Sequence, residues 1–546
     1  MKQTIINYPF WVLSAVFTAV YFIIVYRFTI NIPTDDDFGA LQRFLIEYLQ
    51  AENIQEKAHL LLEEWGSHRL LFMRLIVLFV YILFGKLNYT IYIFIANLFL
   101  AGIAFVLYIN IIRNKKTTAL LLLLAVLLLF NGQNLTNSLW AMSGLANIGI
   151  VFIAFSSIHL LLKRNRIAFV CGLLLSILTV YSNGNGLLII PPIIACLYLQ
   201  KRIKDLIVFS ILSLTAALFY FYNLNTDRLS GDIWNNFHLL IMNFFVFIGC
   251  NVWIPSIKAI PFLTGLLCFG IYVWGILKGV YKNNLFCYAC LTFLYLSSLA
   301  ASVGNLAFGI AAPLRYRIYG SLFLVLTVFL LVNNSKEFYV KRIIYLFPPF
   351  ALLFSIFSTV MYSLKAEKIY EGRKVSAYNW LDKREGLADY ANLAESRFYL
   401  EEAEKLRFYK MPQYPLSEYK SEVHQYSGGK RNFTSDGILY KIESIEEKEN
   451  FFVIRGWAHF KSTPMDFTDI FIYFSDADKC LSCHPKFERR YDVVNNDLSK
   501  VECGFFAVID KTEVPPGRYK IEIGIKNRLN IKGRVLYVTT EQYLEI

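Results

Sequence analysis

The chain has 546 residues, of which 56% are hydrophobic and only 17% charged, and its formal net charge is +13. A soluble globular protein holds roughly 45–50% apolar and about 25% charged residues, so this composition excludes an ordinary soluble fold for most of the chain. The basic residues stand in short clusters between apolar runs, as in Arg113–Lys116, Lys163–Arg166 and Lys201–Lys204, which is the pattern of cytoplasmic loops against anionic lipid and gives no support to a nucleic-acid partner.

The first apolar run, Phe10 to Ile30, is long for a signal-peptide core and no small-residue cleavage site follows it, so a retained membrane helix is expected. A span needs about 20 mostly apolar residues. Further candidates lie near 70–86, 89–111, 117–131, 144–162, 167–182, 186–200, 205–222, 238–254, 259–277, 285–303, 315–332 and 343–363. They predict an α-helical polytopic membrane domain over 1–363 with about 11–13 spans. The basic loops after 162, 200, 277 and 332 are expected in the cytoplasm, and the acidic first loop, 31–69, and the C-terminus outside. Two pairs, 70–86 with 89–111 and 238–254 with 259–277, would carry basic residues outward if both members crossed. One member of each is therefore expected to be re-entrant or to lie along the membrane, and 238–254 is the first suspect because it runs into Asn251, Trp253 and Pro255.

Beyond Ser363 the composition changes. Residues 364–435 are charged and Tyr-rich, a mixed helical linker with helix expected near 382–408. From 436 to 546, strand-like alternation at Ile438–Ile442, Phe451–Trp457, Ile470–Phe474, Gly504–Ile509, Tyr519–Ile525 and Val535–Thr539, punctuated by turns such as Pro515–Gly517, predicts a C-terminal extracytoplasmic β-sandwich.

The polar residues that could carry chemistry gather at the expected outer ends of the helices. Asp35, Asp36 and Asp37 follow the first helix; adjacent carboxylates repel, so a cation should compensate them, although a solvated loop or helix start is the plainer reading. Arg69 and Arg74 enter an apolar helix behind Glu63–His68, either to snorkel or to hold a lipid phosphate. Arg315, Tyr316 and Arg317 begin another helix, where two outer arginines suit an anionic headgroup or a helix-end anchor. The breaks Asn131–Trp140, containing Asn134 and Trp140, and Ser182–Gly186, containing Asn183 and Asn185, could line a sugar cavity or form tight turns. Cys480-Leu-Ser-Cys483-His484 has the spacing of a c-type haem attachment, but it falls in an expected loop without a helical haem domain. A disulfide among Cys480, Cys483 and Cys503 fits an oxidising compartment better, with zinc on those three and His484 as the minor option.

An acidic first outer loop followed by a long multi-span body resembles the GT-C class of membrane glycosyltransferases. More narrowly, Ser67-His68-Arg69, Phe84-Gly85, Asn134–Gly144, Ser182–Gly186 and Arg315-Tyr316 resemble a large group of poorly characterised bacterial membrane proteins placed in that class. The resemblance covers about residues 1–363, and Gly66-Ser67 stands where the group pattern has Asn-Glu. It implies transfer of a sugar from a polyprenyl-phosphate donor to a glycan or lipid acceptor, such as O-antigen or lipopolysaccharide, at the outer face of the bacterial inner membrane, with inversion. On that resemblance Asp36 or Asp37 is the base with Asp35 as the near alternative, Arg69, Arg315 and Arg317 hold the donor phosphate, and His68 touches donor or acceptor. Some relatives use a divalent metal, which the aspartates could ligate. The β-domain is expected to bind carbohydrate or position the acceptor, with Trp457 either stacking on a sugar or serving the core.

Two other functions fit a chain of this kind. A glycolipid flippase should show internal repeats and ionisable residues at mid-membrane, and neither is seen in the sequence. A non-catalytic scaffold would use the β-domain alone.

Overall fold

The computed structural model describes residues 2–546 except 67, 113–117, 223–234, 253–256, 307–313, 335–336, 385–386, 388–389, 391, 427–431, 434–436, 462–464, 466–467, 495–496 and 528–534. The basic cluster at 113–116, Ser67, Trp253, Pro255 and the stretch Ala311–Pro313 therefore lie outside the described residues. The chain packs as two units: Met1–Thr29 with Gly39–Ala366, and Ile30–Phe38 with Glu367–Ile546.

The first unit is helical. Its elements are α1 (Lys2–Phe28), α2 (Phe44–Gln50), α3 (Ile54–Leu62), a two-residue hairpin β1 (Glu64–Trp65) and β2 (His68–Arg69), α4 (Leu71–Phe84), α5 (Tyr89–Leu107), α6 (Thr118–Leu129), the short turns α7 (Leu135–Ser138) and α8 (Ala141–Ser143), α9 (Gly149–Leu161), α10 (Arg166–Val180), α11 (Ile190–Leu199), α12 (Ile203–Phe221), α13 (Phe237–Ile248), α14 (Ala259–Leu277), α15 (Leu285–Gly304), α16 (Arg317–Asn334) and the first part of α17 (Glu337–Lys383). Local signals set their ends. Asn53, Asn88 and Asn165 cap α3, α5 and α10 by accepting backbone N–H groups that no helix carbonyl can reach. Gly85, at φ +64°, closes α4 in the left-handed conformation that a Cβ would penalise.

Every expected apolar segment is helical, but fewer are full-length than the 11–13 expected. Among the described residues seven helices are long and apolar enough to cross a membrane, or eight if α6 and the segment Gly132–Ser138, bent at 40°, count as one span. Five more apolar helices are shorter, among them α4 and α13. The 14 residues of α4 reach only about 21 Å against a hydrocarbon thickness of about 30 Å. Each pair that conflicted in the charge bookkeeping thus contains one short helix, α4 beside α5 and α13 beside α14. Outward apolar residues such as Phe79, Ile82, Leu218 and Leu277 stay exposed, which is consistent with a multi-pass membrane protein.

The second unit contains the rest of α17, α18 (Leu393–Lys405) and two sheets. Four strands run in the order β5 (Ile438–Glu447), β6 (Phe451–Phe460), β10 (Gly504–Asp510), β9 (Lys486–Glu488). Six run in the order β3 (Val423–Gln425), β8 (Cys480–Cys483), β7 (Thr468–Ser475), β11 (Arg518–Asn527), β12 (Leu536–Glu545), β4 (Asn432–Phe433), all antiparallel except β12 with β4. Alternate residues turn inward from both sheets, Ile454 and Phe505 from one and Ile472 and Ile523 from the other, and form one core. The opposite face of β6 and β10 is covered by Val375 of α17 and by Tyr419. The expected linker 364–435 contributes β3 and β4; strands of three and two residues are too short to show alternation. The Cys480–Cys483 motif, expected in a loop, is strand β8.

Candidate functional site

The carboxylate loop belongs to the second unit, and its three aspartates do different things. Asp35 adopts φ +46° and its carboxylate meets Arg489 Nη1 and the Tyr491 hydroxyl, each at 3.2 Å. Arg489 is thus a cation paired with the first of the three adjacent carboxylates. Asp37 is buried and closes a turn: its Oδ2 accepts from Thr34 N at 3.1 Å, while Asp37 N donates to Thr34 O at 3.0 Å. Asp36, between them, is half-buried.

Within the first unit, the start of α16 is the hub of a buried polar network. Arg317 is buried and donates from Nη1 to Gln133 Oε1 and to the Tyr362 hydroxyl, with its guanidinium 4.9 Å from the Tyr362 ring centroid. One turn on, Ser321 Oγ lies 3.2 Å from Asn134 Nδ2. Tyr319 receives a hydrogen bond from Asn185 Nδ2 at 2.9 Å, and Asn185 also reaches Ser297 Oγ at 3.2 Å. Asn185 Oδ1, Arg317 Nε and both side-chain polar atoms of Asn251 are buried with no hydrogen-bond partner among the described residues. Asn251 sits against α16, since a Cβ on Gly320 would fall 2.6 Å from its backbone nitrogen. Gly132 lets the break after α6 press onto α17; a Cβ there would lie 2.0 Å from Ser358 O.

The other expected residues divide between neighbours of this network and structural ties. Arg315 is half-exposed and lies 5.2 Å over the ring of Tyr316, which packs on Phe247. His68 is exposed and its ring abuts Gly184, where an added Cβ would meet Nδ1 at 2.5 Å; Asn183 caps the turn by accepting from Gly184 N. Trp140 is half-buried, with a buried indole N–H lacking a partner. Arg69 is occupied by main chain: Nε donates to Tyr220 O, Nη2 to Tyr222 O and Nη1 to Leu62 O. Arg74 likewise satisfies the carbonyls of Leu60 and Glu63 at the end of α3. Three of the five guanidinium N–H donors of Arg69, expected at the donor phosphate, are thus engaged by main-chain carbonyls.

Among the described residues no disulfide joins Cys480, Cys483 and Cys503, and no group of three His, Cys, Asp or Glu side chains is arranged to hold a metal ion. Strand geometry gives the reason: residues three apart on β8 point to opposite faces, Cys483 into the core and Cys480 towards the surface. Burial pushes the Cys483 and Cys503 thiols up to about 12. Trp457 is half-buried and stacks on His459 at 5.7 Å.

Tyr362, Tyr319 and Ser321 were not singled out from the sequence, Asn251 was noted only as a helix break, and Gln133 only as part of the break Asn131–Trp140. Their only signal is that each interrupts an apolar run. Compared with protein-family models, characterised proteins and solved structures, the chain matches none.

Proposed function

We propose that the protein is a glycosyltransferase of the bacterial inner membrane that moves a sugar from a polyprenyl-phosphate donor to a surface glycan or lipid, with its C-terminal domain outside the cytoplasm. The observation that carries this reading is Arg317: a buried arginine at the head of an apolar helix, held by Gln133 and Tyr362 and surrounded by amides and hydroxyls. Ionisable groups inside apolar bundles are costly and mark substrate sites, and a fixed guanidinium suits a phosphate leaving group. Asn185 Oδ1 and the Asn251 amide, without partners among the described residues, suit sugar hydroxyls.

The chemistry follows from that assignment. The acceptor hydroxyl gives its proton to a carboxylate as its oxygen attacks the sugar anomeric carbon. The bond from that carbon to the phosphate oxygen breaks, and polyprenyl phosphate leaves with the electron pair. The resemblance puts the base at Asp36 or Asp37; Asp35 is the weaker alternative, since its carboxylate is bound by Arg489 and Tyr491. A positioned base contributes about 10²–10⁴-fold. The reading is tested by incubating membranes that contain the protein with a labelled polyprenyl-phosphate sugar: label should pass to glycan or lipid, and movement of intact donor across the bilayer without transfer would indicate a flippase instead.

A further inference from the structure

We infer that Arg489 and Tyr491 are positioning residues for the carboxylate loop, so that the C-terminal domain acts as part of the transfer machinery and not only as a carbohydrate-binding appendage. The inference rests on the reading that the carboxylate loop supplies the base at Asp36 or Asp37. Residues 30–38 pack with the C-terminal domain, although they precede it by more than 300 residues in sequence. Three ties hold them. Arg489 and Tyr491 grip the two carboxylate oxygens of Asp35, Tyr409 donates to Asn31 O at 2.8 Å, and the ring of Phe38 lies 5.1 Å from that of Tyr390.

The gripping segment is itself fixed. Arg490 N donates to Val501 O, and the Arg490 guanidinium makes paired bonds of 2.7–2.8 Å to Glu443 and to Asp492. Asp35 needs such a grip because an L-residue at positive φ relaxes to ordinary backbone when released. Its release would also loosen the turn bonds Asp37 N to Thr34 O and Phe38 N to Asp35 O, which set the direction of Asp36.

The test uses the full chain in lipid nanodiscs, with hydrogen exchange at the Asp37 and Phe38 amides and steady-state transfer measured on the same samples. Arg489→Gln should speed exchange at both amides and lower kcat by about tenfold, with the donor KM unchanged. Arg489→Lys, which keeps the charge, should recover most of both. Tyr491→Phe removes one hydrogen bond with little change of shape and serves if Arg489→Gln does not fold. Unchanged exchange in Arg489→Gln and Tyr491→Phe overturns the inference, as does faster exchange with full transfer. If Asp36→Asn abolishes transfer while the Arg489 variants behave as wild type, the base assignment stands and the positioning role falls.

Discussion

Arg69 Nε donates to the carbonyl of Tyr220 at 2.9 Å, tying the hairpin before α4 to the end of α12. The same guanidinium closes on Tyr222 and Leu62, so it works as a bolt between three stretches of backbone. Arg69→Ala should therefore cost about 2–4 kcal/mol of stability, since it strands three carbonyls. Thermal unfolding in detergent checks this. Arg69→Lys, with fewer donors, should fall between, and whatever folds should keep its donor KM.

Arg317 is predicted to behave in the opposite way. Arg317→Lys keeps a charge but loses the planar guanidinium that lies over the Tyr362 ring while its Nη1 reaches Gln133 and Tyr362. Transfer should fall by about 10²-fold. Gln133→Ala, which frees one end of the guanidinium, should show a smaller loss in the same assay.

Gly132→Ala tests the close approach of the break after α6 to α17. The new methyl would overlap the Ser358 carbonyl, and backbone cannot swing aside as a side chain can. A loss of about 1–3 kcal/mol is expected, together with reduced transfer, because Gln133 is the next residue. Circular dichroism melts and the transfer assay read the two effects separately.

The C-terminal domain should carry a pH signature. Glu488 is buried beside Asn379, Arg490, Arg455 and Glu443, and burial outweighs the two arginines and raises its carboxyl to about 7. The folded state then holds a proton that the unfolded chain has lost between about pH 4.5 and 7, so the stability contribution is full below that window and falls as pH rises through 7. The amplitude is on the order of 3 kcal/mol. Melting of the domain against pH measures it, and Glu488→Gln should flatten the slope.

Much of the fold was legible because membrane helices and half-buried strands write their periods into the sequence. The apolar runs located the long helices of the first unit but not α2 and α3 in the first loop, and alternation found six of the C-terminal strands. What it missed were β3, β4, β8 and β9, of two to four residues each. Span number failed for a related reason: an apolar run shows its composition, while its usable length depends on breaks such as Gly85 and Asn183-Gly184. Of the site, Arg317, Asn134 and Asn185 were visible as polar residues at helix ends. Gln133 was visible only as part of the break Asn131–Trp140, and Tyr362 and Ser321 were not visible at all, because an uncharged residue inside an apolar run signals nothing until packing brings it to its partner. Asp35 and Arg489 are 454 residues apart, a pairing no local pattern encodes.

The most direct measurement is the surface glycan profile of a host carrying Asp36→Asn, compared with Asp35→Asn and Asp37→Asn at matched protein levels. With the base at Asp36 or Asp37, one of Asp36→Asn and Asp37→Asn should remove the sugar from the glycan altogether, while wild type restores it. An unchanged glycan in all three variants, with each protein made and inserted normally, would contradict the glycosyltransferase reading.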